Sequence, residues 1–427
     1  MERRLVDNAR VMHFSALRPL AVATTLATLS LMPGCGGDLG SGGAHSVPGT
    51  NVTAITVDGG PAAAVNGVNA PYVSVKVCQP GSTSNCQVID HVLLDTGSTG
   101  LRLLAVVANS SLALPQEMDT ANQPLFECLQ FGSRSYAWGS VRLADVQIAD
   151  GQALRLPVQL VGDSAAPTAP SECSLALTAN PLPSADTVAA LNANGILGIG
   201  VFREDCGSGC TLPPGAGQIY QYYVCSTSCT GETLGTDLQL QNPVYHFASN
   251  NNGVVIELPS IGPGGAFGAR GSLILGINTQ TNNALGTATV LPVDALGFLT
   301  TTYNGHTLAH SYIDSGSKGL YFDDVYTVCD SSTPAGGLYC PGPSAPLALS
   351  ATVQGTDGSS KQVDFTVGDA LTLLGAQPTY NAFGNFAGPL NDANGFDWGL
   401  PFFYGRSVYV AIEGQSTTGA TGPYFAF

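Results

Sequence analysis

Positive charge is what this sequence has least of. Only 14 of its 427 residues are Lys or Arg, against 30 Asp and Glu, and charged residues make up 10% of the chain. Four of the 14 (Arg3, Arg4, Arg10 and Arg18) and two of the 30 (Glu2 and Asp7) fall in the first 35 residues. The remainder has 10 basic and 28 acidic residues, a net charge of −18. No basic patch is left to meet a phosphate backbone or an anionic headgroup, so nucleic acid and electrostatic membrane binding are excluded. The apolar run at 19–33, "PLAVATTLATLSLMP", is too short to cross a bilayer. No long amphipathic helix, short-period repeat or G-x-S-x-G is present, and runs such as "GIG" lack the strand–helix context of a phosphate loop. The six histidines are His13, His45, His91, His246, His306 and His310. Only His306 and His310 have a metal-like spacing. They lie in a strand-and-turn segment, where four residues do not make a shared helical face, so they read as structural and no metal site is expected.

Glycine (53) and proline (27) are plentiful, and 44% of residues are hydrophobic. Short apolar runs with period-2 alternation, separated by Gly, Pro, Asn and Ser, predict an all-β chain. "NVTAITV", "PYVSVKV", "SVRLADVQIA" and "LRLPVQLVG" are strands of a first half, and "GVVIELP", "GSLILGIN" and "QVDFTVGD" of a second. "DTVAALN" (186–192) reads as a short helix. The basic leader and apolar run end in "GCGG", so residues 1–35 are expected to be an export signal with a lipobox, with Cys35 the lipidated residue. Residues 36–50 are a flexible linker. By resemblance to bacterial sorting patterns, Gly36 rather than Asp after that cysteine implies the outer membrane, reached through the lipid alone. A first lobe is expected over 51–252 and a second over 253–427.

Ten cysteines follow Cys35, an even number in an exported chain, and they read as five disulfides. Spacing suggests Cys78–Cys86, Cys128–Cys173 and Cys329–Cys340. Cys206, Cys210, Cys225 and Cys229 pair among themselves, sequentially or nested; the competing reading is a four-cysteine zinc site, disfavoured by its spacing and an oxidising compartment.

One sentence is written twice. Residues 91–103 read "HVLLDTGSTGLRL" and residues 311–322 read "SYIDSGSKGLYF", with Asp95 and Asp314 219 residues apart. In each, an apolar strand ends in Asp, Gly lets the backbone turn tightly, and a small hydroxyl can hold the carboxylate. One such motif is an ordinary Asp-Gly turn. One per half suggests two carboxylates brought face to face, which cannot both ionise cheaply and so hold one proton between them. That pair can activate a water and protonate a carbonyl.

On these residues the chain resembles the pepsin-like aspartic peptidases over most of 70–427. The resemblance implies a bilobal double β-barrel with a cleft between the lobes, Asp95 and Asp314 as catalytic residues, and Thr96, Ser98, Ser315 and Ser317 as supporting hydroxyls. "NGILGIG" and "FDWGLPFFYGRSVYVAIEG" are similar to the segments that cross behind the two loops; Gly198 lies 103 residues after Asp95 and Gly399 lies 85 after Asp314. It further implies an endopeptidase, no metal or organic cofactor, a peptide or unfolded-protein substrate and a monomer. Two departures stand out. Where the family carries a Tyr-Gly flap tip, this chain has Phe131-Gly132, with Tyr136 and Trp138 nearby as substitutes. Lys318 sits in the second loop, where an ammonium in the cleft would disturb proton sharing; it is expected to point to solvent. Competing readings are a catalytically lapsed surface lipoprotein that binds a peptide or cell-envelope ligand, and an inhibitor-like relative whose 203–252 insertion plugs the cleft.

Overall fold

The computed structural model describes residues 47–427, apart from 65–66, 176–180, 216–217, 227 and 343–344. Cys35 and the whole leader lie outside the described residues, as do residues 36–46 of the expected linker.

The short alternating runs become strands, and two sheets organise them. In the first half, strands Tyr136–Ile148, Gly151–Val161, Thr99–Leu104, Gly195–Ile199, Cys86–Asp95 and Pro71–Cys78 lie side by side, and pairing of Lys76 with Gln147 closes them into a six-stranded barrel. The same sheet continues through Val52–Val57, Ala269–Leu275, Gly253–Leu258, Arg406–Ala411, Tyr424–Ala426 and Val290–Pro292. It therefore passes from residues of the first half to residues of the second, and the "PYFAF" terminus is one of its buried strands. The second sheet has seven strands, Ser360–Val367, Leu347–Gln354, Leu299–Tyr303, His306–Ile313, Gly395–Trp398, Leu320–Tyr321 and Ala387–Gly388 in that order, and nearly closes into a second barrel. The fold is all-β with two barrels. No helix among the described residues is long and apolar enough to cross a membrane. The expected helix at 186–192 is present as Val188–Leu191, and a helix at Ala370–Ala376 was not expected.

Aromatic packing fills the second barrel: Phe322 stacks on Phe396 at 4.7 Å and Phe396 on Trp398 at 4.1 Å. Trp398 donates its indole N–H to Thr301 Oγ1 at 3.0 Å, so its one polar atom is satisfied in the core.

Five disulfides link Cys78–Cys86, Cys128–Cys173, Cys206–Cys210, Cys225–Cys229 and Cys329–Cys340. The four-cysteine cluster thus pairs sequentially, and its thiolates are unavailable to zinc. Such a set belongs to a chain that folds in an oxidising, non-cytoplasmic compartment.

The segment carrying that cluster is also held by charge. Arg102, 1% exposed, reaches Glu127 Oε1 at 2.5 Å and Asp205 Oδ2 at 2.9 Å. Gln221 and Tyr222 donate to Asp205 at 2.6 and 2.7 Å. One guanidinium therefore ties the strand after the first Asp loop to the Leu125–Gln130 strand and to the start of the 203–252 segment. Burial and the neighbouring Glu127 charge hold the Asp205 carboxyl well above its usual range. Arg102→Met would leave two buried carboxyls without their cation, and a loss of about 3–5 kcal/mol is expected in chemical unfolding.

Candidate active site

The Cys86–Asp95 strand runs parallel to Gly195–Ile199, with Asp95 opposite Gly198, and Thr99–Leu104 returns antiparallel on the other side of that crossing strand. The chain must therefore turn within Asp95–Ser98, directly over the crossing strand. The second half repeats the arrangement. His306–Ile313 runs parallel to Gly395–Trp398, Leu320–Tyr321 lies antiparallel on the other side, and the Asp314 N–H donates to the Trp398 carbonyl at 3.1 Å. The crossings leave no room for side chains: a Cβ on Gly198 would come 2.6 Å from Thr99 N, and one on Gly399 2.0 Å from the Gly319 carbonyl.

The two turns are bonded to each other. The Thr96 N–H donates to Ser315 Oγ at 3.1 Å and the Ser315 N–H donates to Thr96 Oγ1 at 2.9 Å. Each hydroxyl then donates across the interface: Thr96 to the Ile313 carbonyl at 2.9 Å, Ser315 to the Leu94 carbonyl at 2.7 Å. All four bonds connect residues more than 200 positions apart in sequence, and the hydroxyls are buried.

This grip brings Asp95 and Asp314 together. A Cβ on Gly97 would lie 2.7 Å from Asp314 Cγ, and one on Gly316 would lie 2.7 Å from Asp95 Oδ1. Each loop glycine therefore makes room for the opposite carboxyl. Gly97 N–H and Ser98 Oγ donate to the two oxygens of Asp95, and Gly316 N–H and Ser317 Oγ, each at 2.8 Å, to those of Asp314. Both aspartates are 1% exposed.

Their environments differ. Burial pushes Asp314 well above the usual carboxyl range, and the charges of Asp95 and Asp397 push the same way. Burial also raises Asp95, but hydrogen bonds from Asp314, Ser98 and Gly97 and the Arg102 charge oppose it. Asp314 is therefore the carboxyl held further above its usual range. A cavity of about 1130 Å³ opens beside the pair, with Thr96–Thr99, Tyr312 and Ile313 among its lining residues.

Other expected residues fall elsewhere. None of Phe131, Gly132, Tyr136 and Trp138 lines that cavity. Phe131 is buried in one apolar cluster with Leu93 and Ile196, while Trp138 stacks on Phe126 and donates to the Pro167 carbonyl at 2.7 Å. Lys318 does not point freely to solvent: it is half-buried, and burial pushes its ammonium down to about 8. It is not among the main groups shifting either aspartate. His310 contacts Asp392 at 3.4 Å, His306 is exposed, and no metal-type cluster occurs among the described residues. From the 203–252 segment, Arg203, Glu204 and Cys206–Gly209 line the cavity without filling it. Sequence reasoning passed over Arg102, Glu127, Asp205 and Asp397. A charged residue inside an otherwise apolar run, as in "TGLRLL" or "GFDWG", was the available signal.

Residues 48–427 match the family described as "Protein of unknown function (DUF3443)". The chain belongs to that family. No curated protein matches. Among solved structures, this DUF3443 chain is similar to the aspartic proteinase from Irpex lacteus, at 11% identity and a TM-score of 0.47 over 88% of this chain and 96% of that one.

Thr96→Val keeps the side-chain shape and deletes two buried hydrogen bonds, leaving the Ser315 N–H without its acceptor. A loss of about 2 kcal/mol in urea unfolding is expected, with a larger loss in Thr96→Val/Ser315→Ala.

Proposed function

We propose that this protein is an aspartic-type endopeptidase with Asp95 as general base and Asp314 as general acid. One observation carries the reading: two carboxyls from separate halves meet in a buried site, each held by its own Gly N–H and Ser hydroxyl, and such a pair holds one proton between its members. An extended peptide in the cavity would present its carbonyl to Asp314, with a water between the carboxyls. Asp95 takes a proton from the water, the water oxygen bonds to the carbonyl carbon, and Asp314 gives its proton to the carbonyl oxygen. In the second half, Asp95 passes its proton to the amide nitrogen, Asp314 takes one from a hydroxyl of the tetrahedral carbon, and the C–N bond breaks. The products are a carboxylic acid and an amine, and the pair returns to its starting state. No covalent intermediate forms, and the chemistry draws on neither metal nor organic cofactor. The oxidising compartment implied by the disulfides fits an envelope enzyme acting on peptides or unfolded protein as a monomer. Tethering to the outer membrane through a lipid on Cys35 belongs to the same proposal.

A second reading, a protein that binds a peptide or envelope ligand without cleaving it, draws on the 1% exposure of both carboxyls. The test is incubation of the purified protein with an unfolded protein substrate from pH 3 to pH 7, beside folded Asp95→Asn and Asp314→Asn variants. Cleavage by the parent, reduced about 10³-fold or more in each variant, is expected. Product termini would define the preferred bond. A folded parent that binds the substrate and leaves it intact at every pH would favour the second reading.

A further inference from the structure

Around the two Asp loops the halves repeat the same three-strand arrangement, which makes each a control for the other. In the first half, the residue two before the aspartate is Leu93, and its register partner on the crossing strand is Ile196. In the second, the residue two before Asp314 is Tyr312, and its partner is Asp397. Side chains two apart on a strand share a face, so Tyr312 and Asp397 lie on the face of Asp314. Phe396 and Trp398, on either side of Asp397, point the other way into the aromatic core. The fold thus accepts an apolar pair at these positions and has one in its first half.

Asp397 is an expensive residue to place there. Asp397 is 0% exposed, and neither of its oxygens makes a hydrogen bond of ordinary length. Burying an unpaired carboxyl costs several kcal/mol when ionised, so Asp397 gives up its proton only well above the usual carboxyl range. The facing groups leave no other route. Tyr312 and Tyr321 flank it on the neighbouring strands. Asp314 and Ser317 come from the second loop, Asp95 from the first, and Asp392 and His310 lie further along the Tyr312 side. Among the main groups acting on the aspartate pair the cation is Arg102, which favours Asp95, while Lys318, next to Ser317 in the second loop, is half-buried and is not one of those groups. The Ser317 hydroxyl is the group favouring the charged form of Asp397, and it already donates to Asp314 at 2.8 Å.

We propose that Asp397 is the third carboxyl of the cluster: a positioning residue whose presence beside Asp314 and Ser317 keeps the working proton on the pair toward neutral pH. Three adjoining carboxyls lose their protons in steps that belong to the cluster, and the last proton leaves at a higher pH from three than from two. This rests on the peptidase reading for its consequence in catalysis, but not for its consequence in titration.

The experiment follows the carboxyl carbons by NMR in protein labelled with [4-¹³C]aspartate, with Asp314 assigned by the signal lost in Asp314→Asn. The parent is compared with Asp397→Asn, which keeps the shape, and Asp397→Ile, which copies Ile196 of the other half. The expected result is an Asp314 midpoint about one pH unit lower in both variants. The high-pH limb of kcat/KM should move acid-ward by the same amount, while kcat at the low-pH plateau changes less than threefold. Should only one variant fold, that one carries the test. An Asp314 midpoint equal to the parent's in a folded variant overturns the proposal. So does a uniform fall in kcat with an unmoved pH limb, the mark of a structural role. If the parent cleaves nothing, the peptidase reading fails, and the NMR midpoints still decide whether Asp397 acts on Asp314.

Discussion

Four hydrogen bonds between Thr96 and Ser315 and their loops hold this molecule in its working shape. Each donor and acceptor is buried, and each partner belongs to the other half of the chain. A buried N–H without an acceptor costs about 1–3 kcal/mol, so neither loop can be satisfied in the absence of the other. The consequence runs in both directions. The two crossing strands, with Gly198 and Gly399 where a Cβ would collide with the loop, press each turn into place. The turns then hold two carboxyls in a proximity that neither would adopt alone. The shared long sheet, from Val52–Val57 through Ala269–Leu275 to the C-terminal strand, fixes the halves beneath this contact.

Much of this was legible in the sequence, for a reason that the grip explains. Residues that must meet a symmetric partner are constrained to the same short vocabulary, so Asp95-Thr-Gly-Ser and Asp314-Ser-Gly-Ser betray each other across 219 positions. The crossing strands were legible because their glycines are obligatory. The disulfides at short spacing, Cys78–Cys86 and Cys329–Cys340, close local turns. The pairing of Cys206, Cys210, Cys225 and Cys229 was not fixed by spacing. It depends on Cys225 and Cys229 facing each other across a hairpin that the sequence only hints at.

What sequence missed has a common cause. The Arg102 cluster joins residues from three separate segments, and none of Arg102, Glu127 or Asp205 carries a local motif. Lys318 was expected in solvent because lysines usually reach it, yet its position is set by the packing of the second loop. The flap residues were placed by the family resemblance alone, and their contacts are set by the apolar cluster that takes in Phe131 and by the Cys128–Cys173 bridge near Trp138.

The near-symmetry of the site raises a chemical difficulty that the surroundings resolve. Two identical carboxyls in identical cradles would share a proton evenly, and neither would be committed to acting as acid or base. Here each is offset by a different buried ionisable group. Arg102, held by Glu127 and Asp205, lies on the Asp95 side and favours its ionised form. Asp397 lies on the Asp314 side and disfavours ionisation there. Arg102 sits in the strand that leaves the first loop, and Asp397 in the strand that crosses behind the second. The two carboxyls are therefore made unequal by residues outside the Asp-Thr/Ser-Gly-Ser turns, at positions where the two halves differ. The repeat brings the carboxyls together, and the departures from the repeat make their surroundings unequal, with Asp314 held further above its usual range than Asp95.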